Sequence, residues 1–313
     1  MIVARFRVFQ KCGRWAPWHY LSNRGGQHPS ELRPIALLEP TGKITLGLVT
    51  KAIQQQLQHF LNRLPQFAYA GGRGTEDAIH RLATHCRLVR QKVSEMSYPL
   101  HRQRMGLATP SLLGGMTLCL DLTRAFDMVD RARLFAGLIS LGVTTGIISL
   151  LQCVYNTTAY EFEHRGVHRT VKTHRGIRQG CKADPCLWTV FISVLMTELA
   201  NKISPQFLLL CVTIFADDIC SHSTFDNEES FETLLHAFGT LLDLIEGTNL
   251  ELNLAKTTIT LRMTGKSTGK IQRKFTLRTQ NGTFLKIPRS DGSFTKIKLV
   301  RSFKYLGDRK SVV

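Results

Sequence analysis

Apolar residues recur at helical spacing in four long segments of the chain. In the third of these, Leu187, Val190, Phe191, Val194 and Leu195 share one face of a helix. The spacing predicts helices over 44–64, 75–93, 183–203 and 227–247, with Thr75 as the N-cap of the second. Asp130 is the predicted cap of a further helix that runs to about Leu141.

Two continuous apolar runs predict buried strands. The first is MTLCLDL (116–122), which ends on Asp121, and the second is FLLLCVTIF (207–215). Asp217 and Asp218 follow the second run almost at once. Carboxylates at the ends of core strands repel one another and lose hydration, so this pattern indicates a bound cation.

Alternating and turn-rich segments predict the remaining strands. YEFEH (160–164) and HRTVKTH (168–174) read as one β-hairpin. From residue 257 onward the chain is β-like, with Asn281-Gly282 and Asp291-Gly292 as hairpin turns.

One uncharged stretch, residues 136–160, is long enough to cross a membrane. Its glycines and threonines favour two short core helices joined near LGVTTG (141–146). The N-terminus lacks a signal peptide's apolar core, and the eight cysteines form no CxxC pair. We therefore expect an intracellular protein, nuclear or cytoplasmic, with reduced thiols and no contact with a membrane.

The net charge of the chain indicates which class of molecule it binds. The 313 residues carry 41 Lys and Arg against 23 Asp and Glu, a net charge of +18. Such an excess favours a polyanion, most often nucleic acid, over an anionic membrane or a basic surface with no partner. The excess of positive charge is concentrated in residues 264–310, which contain 13 Lys and Arg and only two acids, Asp291 and Asp308.

If the strands that end at Asp121 and Phe215 are neighbours, three carboxylates converge. Hard oxygen ligands of this kind suit Mg²⁺, and a pair of such ions supports phosphoryl transfer. An Asp-Asp pair alone is weak evidence for such a metal site, because many turns contain one. The evidence is strengthened by seven segments that occur in this order along the chain: ELRPIALLEPTGK (31–43), QFAYAGGRGTEDAI (66–79), CLDLTRAFDMVD (119–130), RGIRQGCKADPCLW (175–188), IFADDI (214–219), LNLAKT (252–257) and FKYLG (303–307).

Together these segments resemble the ordered motifs of reverse transcriptases, especially those of non-LTR (LINE-type) retrotransposons. The resemblance implies that Asp121, Asp217 and Asp218 bind two Mg²⁺ ions, which Mn²⁺ is able to replace, and that Leu122 offers its backbone carbonyl. Phe215 stands where the family's YADD box has tyrosine. Lys256 matches a lysine that protonates the leaving pyrophosphate, with a plain surface lysine as the alternative.

The same resemblance implies a nucleotide site. Phe126 matches the steric gate that favours deoxynucleotides, although a core aromatic would explain it equally well. Gln179 and Gly180 match the Q-G pair beside the incoming nucleotide, and Arg33 matches the arginine that clamps the triphosphate. Arg73 is expected to contact template or nucleotide phosphate, with a solvated loop arginine as the alternative.

The implied fold is α+β, the right-hand polymerase fold, with an antiparallel palm sheet backed by helices and α/β fingers. We assign residues 1–105 to the fingers and 106–313 to the palm, with a fingers-like insertion at about 156–178. No thumb is expected, because the chain ends six residues after Gly307. One departure from the family is Asp184, which stands where a small serine is usual and is expected near the nucleotide pocket.

The implied activity is that of an RNA-directed DNA polymerase, a nucleotidyltransferase acting on an RNA template, a DNA primer and dNTPs. An inactive nucleic-acid-binding fragment of a retrotransposon polyprotein is the main alternative, favoured by the expected lack of a thumb and by Asp184. Another palm-type polymerase is disfavoured by Phe126, and an intron maturase would need a further RNA-binding domain.

Overall fold

A computed structural model describes residues 5–8, 16–22, 32–36, 40–96, 99–156, 159–164, 167–178 and 180–310. The chain divides into two compact units, each assembled from two separate stretches. Unit 1 comprises residues 1–63 and 124–194, and unit 2 comprises residues 64–123 and 195–313. The predicted fingers and palm boundaries remain a prediction.

The described residues form helices at α1 (Pro40–Leu61), α2 (Thr75–Glu95), α3 (Pro99–Arg104), α4 (Ala125–Met128), α5 (Arg131–Ser140), α6 (Thr145–Asn156), α7 (Asp184–Lys202), α8 (Pro205–Cys211), α9 (Glu228–Glu246) and α10 (Thr268–Phe275). The four predicted helices are confirmed as α1, α2, α7 and α9. Asp130 caps α5 by accepting a hydrogen bond from the Arg133 N–H (3.1 Å). The cap of α2 is Gly74 and not Thr75, and its N–H donates to Asp77 Oδ2 (2.8 Å).

The uncharged stretch folds as two short helices, α5 and α6, as predicted. Among the described helices, none has both the length and the apolar character needed to cross a bilayer.

Unit 1 contains a five-stranded antiparallel sheet. Its strands are β1 (Arg5–Val8), β2 (Ala16–Ser22), β3 (Leu32–Ala36), β6 (Ala159–His164) and β7 (Val167–Lys172). Their order is β3-β2-β1-β6-β7, so the predicted hairpin β6–β7 extends a sheet begun by the first strands of the chain.

Unit 2 is built on a seven-stranded sheet, in the order β12-β13-β14-β11-β4-β9-β8. These strands are β4 (Leu113–Leu120), β8 (Val212–Phe215), β9 (Asp218–Phe225), β11 (Thr258–Thr264), β12 (Thr276–Thr279), β13 (Gly282–Pro288) and β14 (Phe294–Leu299). The predicted antiparallel pairing holds except between β11 and β14, which run parallel. Two small pairs complete the unit: β5 (Leu122–Thr123) with β10 (Glu251–Leu252), and β15 (Phe303–Tyr305) with β16 (Asp308–Lys310).

Helices α2 and α9 pack on this sheet through fully buried faces. Leu82 and Val89 of α2 and Phe231 and Phe238 of α9 are 0 % exposed. The contact is close, since a Cβ added at Gly115 of β4 would lie 2.3 Å from Val89 Cγ2.

The prediction of one strand over residues 207–215 was wrong in its first half. Residues 205–211 form α8, and the strand begins only at Val212. The Ser204 hydroxyl caps the helix by accepting from the Phe207 N–H (3.0 Å), and Pro205 occupies its first turn. A serine cap followed by proline favours a helical start, whereas apolar content alone cannot distinguish strand from helix.

Candidate active site

The sheet of unit 2 brings the predicted carboxylates to one edge. β4 pairs with β9 in a register that sets Leu120 opposite Ile219, and continuing it by one residue sets Asp121 opposite Asp218. β8 and β9 form a tight hairpin in which Phe215 pairs with Asp218. Asp217 therefore occupies the two-residue turn, beside the residue that faces Asp121.

The turn that carries Asp217 is conformationally unusual. Ala216 has φ +55°, in the left-handed region that residues with a Cβ seldom adopt. Such conformations persist where the surroundings impose them, and they cluster at functional sites. Here the pairing of Phe215 with Asp218 fixes both ends of the turn.

The three acids lie close enough for their charges to affect one another. The pKa of Asp218 is raised to about 6, first by burial and then by the negative charges of Asp217 and Asp121. The two other acids thus disfavour ionisation of Asp218, and a cation placed among them would relieve that repulsion.

The segment after β10 fixes the backbone of Asp121 and supplies a cation. The Asn253 N–H donates to the Asp121 carbonyl oxygen (2.8 Å), and the Asp121 N–H donates to Thr257 Oγ1 (3.2 Å). Lys256, in the turn between these contacts, has its Nζ 3.9 Å from Asp121 Oδ2. Lys256 thus lies beside Asp121, one of the predicted metal-binding acids.

The backbone carbonyl of Leu122 is directed away from β10. Because the Asn253 N–H bonds to Asp121, the opposed residues Leu122 and Leu252 form a non-hydrogen-bonded pair of the ladder. Carbonyls of such a pair point away from the partner strand. The carbonyl oxygen of Leu122 therefore accepts no hydrogen bond from β10 in this pairing.

The donor chemistry fits hard divalent cations, since it consists of carboxylate and carbonyl oxygens. Within the described ranges, however, no three His, Cys, Asp or Glu side chains are arranged to hold one ion between them. Mg²⁺ does not require such a cage, because it commonly binds one or two carboxylates and completes its shell with water and substrate phosphates.

A cleft of about 380 Å³ adjoins these acids. Its walls include Asp121, Asp218 and Lys256, together with Lys304 and Tyr305 of the predicted primer-grip segment. Burial raises the pKa of Tyr305, and its hydroxyl has no hydrogen-bond partner among the described residues. The FKYLG segment thus lies against the acids, as β15 and its turn.

Of the predicted nucleotide residues of unit 1, Phe126 is tied by a backbone hydrogen bond to the segment that precedes Gly180. The Ile177 N–H donates to the Phe126 carbonyl (2.9 Å), which joins α4 to the loop before Gly180. The Phe126 ring stacks on Trp188 with centroids 4.9 Å apart. Gly180 has φ +96°, which favours glycine. Gln179 lies outside the described residues, and Arg33 lies in β3 opposite Leu21, its side chain also outside them.

Asp184 and Arg73 are engaged in local structure. Tyr155 Oη donates to Asp184 Oδ1 and the Cys181 N–H donates to Oδ2, each over 3.0 Å, and burial raises the pKa of Asp184 to about 7. Arg73 donates to the carbonyl oxygens of Leu64 and Gln66. The sequence analysis did not predict these local hydrogen bonds of either side chain.

Tyr69 is a neighbour of Asp217 that the sequence motifs did not single out. Its pKa is raised by burial and by the charge of Asp217, and it is half exposed with φ +60°. The bridge between Gln66 and Ile214 brings its loop to the edge of β8. That contact joins residues distant in sequence, and the FAYAGG composition alone could indicate only a loop.

Comparison with known proteins agrees with this geometry. The profile of the family described as "Reverse transcriptase (RNA-dependent DNA polymerase)" matches residues 22–308. A retrovirus-related Pol polyprotein from the type-1 retrotransposable element R1 of Bradysia coprophila is 27% identical over 208 residues. That match covers 63% of this chain and 17% of the relative, so the chain spans a small part of the relative's length.

The fold is similar to that of two solved telomerase structures from Candida tropicalis. The form truncated from its C-terminal domain gives a TM-score of 0.54 at 10% identity, covering 93% of this chain and 57% of that one. The apo telomerase gives 0.53 at 10% identity, with coverages of 93% and 50%. The likeness supports the right-hand polymerase fold, and the profile match covers most of the chain. This chain therefore belongs to the reverse transcriptase (RNA-dependent DNA polymerase) family.

Proposed function

We propose that this chain is the polymerase core of an RNA-directed DNA polymerase, which adds dNTPs to the 3′-hydroxyl of a primer on an RNA template. The observation that carries the proposal is the strand register that sets Asp121 opposite Asp218 at one edge of the unit 2 sheet, with Asp217 in the adjoining turn. Family membership and the net charge of +18 support a nucleic-acid substrate.

Asp121, Asp217, Asp218 and the Leu122 carbonyl are the residues that would hold two Mg²⁺ ions, or Mn²⁺ in their place. When bound, the ions supply positive charge that makes a primer hydroxyl more acidic and neutralises charge on the phosphates. The β8–β9 turn and the Asn253 bond to Asp121 hold the ligands in position before substrate arrives.

The remaining roles belong to side chains of the chain itself. Lys256 donates a proton to the departing pyrophosphate, and its position beside Asp121 supports this role. Phe126 excludes the ribose 2′-hydroxyl, Gln179 and Gly180 line the nucleotide's sugar, and Arg33 binds the triphosphate. Arg73 remains proposed as a phosphate contact, with its local carbonyl bonds serving to orient it.

Primer extension tests this function. The chain is incubated with a DNA primer annealed to an RNA template, dNTPs and Mg²⁺, and Asp217→Asn is compared with Glu251→Gln, an exposed carboxylate of β10. We expect extension by the wild type and by Glu251→Gln, and loss of it in Asp217→Asn. Extension that survives in Asp217→Asn would contradict the proposal. Binding without extension by the wild type would favour an inactive nucleic-acid-binding fragment instead.

A further inference from the structure

One face of the hairpin β13–β14 carries lysines and phenylalanines. Phe284 is paired with Lys298, and Lys286 with Lys296, so these four side chains project on the same side of the sheet. Phe294 lies two residues before Lys296 and shares that side. We refer to these five residues, Phe284, Lys286, Phe294, Lys296 and Lys298, as the lysine face.

The opposite side of the hairpin is core. Leu285, Ile287 and Ile297 alternate with the lysine face and are 0 % exposed. Helix α9 covers that side so closely that a Cβ added at Gly239 would lie 1.9 Å from the Pro288 carbonyl oxygen. The hairpin is thus held by one side only, and its other side carries Phe294 at 50% exposure with Lys296 and Lys298 exposed.

The cations of this region fall into two groups. On the α9 side, Lys270 pairs with Glu228 (2.7 Å), Lys274 with Glu232 (2.7 Å), and Arg289 with Asp243 (2.6 Å). Among the residues that the structure describes, no acid pairs with Lys286, Lys296 or Lys298.

Directly opposed lysines on neighbouring strands repel each other, so the pairing of Lys286 with Lys296 is unfavourable without an anion. Their ammonium groups lie 5.5 and 6.0 Å from the centroid of the Phe294 ring, which offsets part of that repulsion. Asp291, in the adjoining turn, forms no ion pair with these lysines among the described residues, and its carboxylate accepts a hydrogen bond from the Ser293 N–H (2.8 Å).

We propose that the lysine face binds a single-stranded nucleic acid, with phosphates on the lysines and a base on the exposed ring of Phe294. Grooves for single strands combine cations that follow the backbone with aromatic rings on which bases stack. A duplex would present only its phosphates, because its bases are paired and stacked and none is free to stack on the Phe294 ring. That the strand is RNA rests on the proposed function, whereas the binding itself rests on the lysine face alone.

The test measures binding of a fluorescent oligo(U) RNA by anisotropy, without metal or dNTPs, so that its outcome is independent of polymerase activity. The variant Lys286→Gln/Lys296→Gln/Lys298→Gln is compared with Lys266→Gln/Lys270→Gln/Lys274→Gln, which removes the same charge from the α10 side. Each single-strand phosphate contact contributes a salt slope of about 0.7. We expect about 10- to 50-fold weaker binding at physiological salt and a slope lower by about 2, and less than about twofold change in the control.

Phe294→Leu, which keeps an apolar side chain but removes the ring, is expected to weaken binding by about fivefold or more. Equal losses in the two lysine variants, or no loss in either, would overturn the proposal. Tighter binding of a duplex than of oligo(U), or binding of phosphatidylserine vesicles in preference to both, would overturn it as well. An oligo(dT) arm separates RNA preference from recognition shared by both kinds of strand, and equal affinity for the two supports the shared chemistry.

Discussion

Lys256 Nζ lies 3.9 Å from Asp121 Oδ2, and the two side chains are 71% and 37% exposed. An exposed pair at this distance contributes little to stability. Asp121 lies at the end of β4, opposite Asp218 of the β8–β9 hairpin, so the position of Lys256 beside it fits the proposed role of this lysine in the reaction.

Lys256→Ala is therefore expected to lower the rate of nucleotide addition by about 10²-fold or more, as for loss of a general acid, with little change in melting temperature. Lys256→Arg should restore charge near Asp121 but not efficient proton donation. Single-turnover rates across a range of pH separate these effects. Equal rates for Lys256→Arg and the wild type at every pH would exclude proton donation by Lys256.

Phe126→Val tests the proposed steric gate. The smaller side chain should raise incorporation of rNTPs relative to dNTPs by about tenfold or more, because discrimination by steric exclusion depends on side-chain volume. Loss of the stack on Trp188 would also lower stability, so the ratio of kcat/KM values is the informative quantity. An unchanged ratio would leave Phe126 as a core aromatic.

Gly239→Ala should destabilise unit 2. In a helix interior, alanine is intrinsically favoured over glycine by about 0.5–1 kcal/mol. Here the added Cβ would lie 1.9 Å from the Pro288 carbonyl oxygen, and overpacking of this kind costs about 1–3 kcal/mol. Gly269→Ala in α10 is the matched control, because nothing lies within 4 Å of its Cβ position. Urea unfolding midpoints that rank the two variants in the opposite order would contradict the packing described for α9.

Asp184 should make stability depend on pH. Burial raises its pKa in the folded state to about 7 from an ordinary 3.8, so between these values the folded protein holds a proton that the unfolded chain has released. Stability should thus fall as pH rises through that window. Asp184→Asn, which stays neutral, should flatten the dependence by an amount on the order of a few kcal/mol. If the free energy of unfolding changes with pH in the same way for the wild type and Asp184→Asn from acid to neutral pH, the prediction is wrong.

Sequence periodicity predicted the long helices and the hairpins because their apolar faces are local and regular. It failed for α8, whose short apolar run fits either helix or strand. It also missed α10, where Ile271 and Phe275 are the apolar residues in a basic segment. The parallel pairing of β11 with β14 joins distant segments, and no local pattern encodes it.

For the candidate site, the sequence could place Asp121, Asp217 and Asp218 at the ends of two predicted strands, whereas Lys256 was singled out only by its family motif. The influence of the Asp217 charge on Tyr69 and the burial of Asp184 against Tyr155 could not be predicted, since both depend on tertiary packing.

Whether acids from two distant segments form one metal site, as proposed, is tested by a double-mutant cycle on Mn²⁺ binding. Mn²⁺ affinity is measured by electron paramagnetic resonance for the wild type, Asp121→Asn, Asp217→Asn and the double variant. If the two carboxylates share ions, each single variant weakens binding by about tenfold or more, and the double variant loses clearly less than the sum of the two free-energy changes. Mn²⁺ affinity that is unchanged in Asp121→Asn, or losses that simply add, would contradict the account.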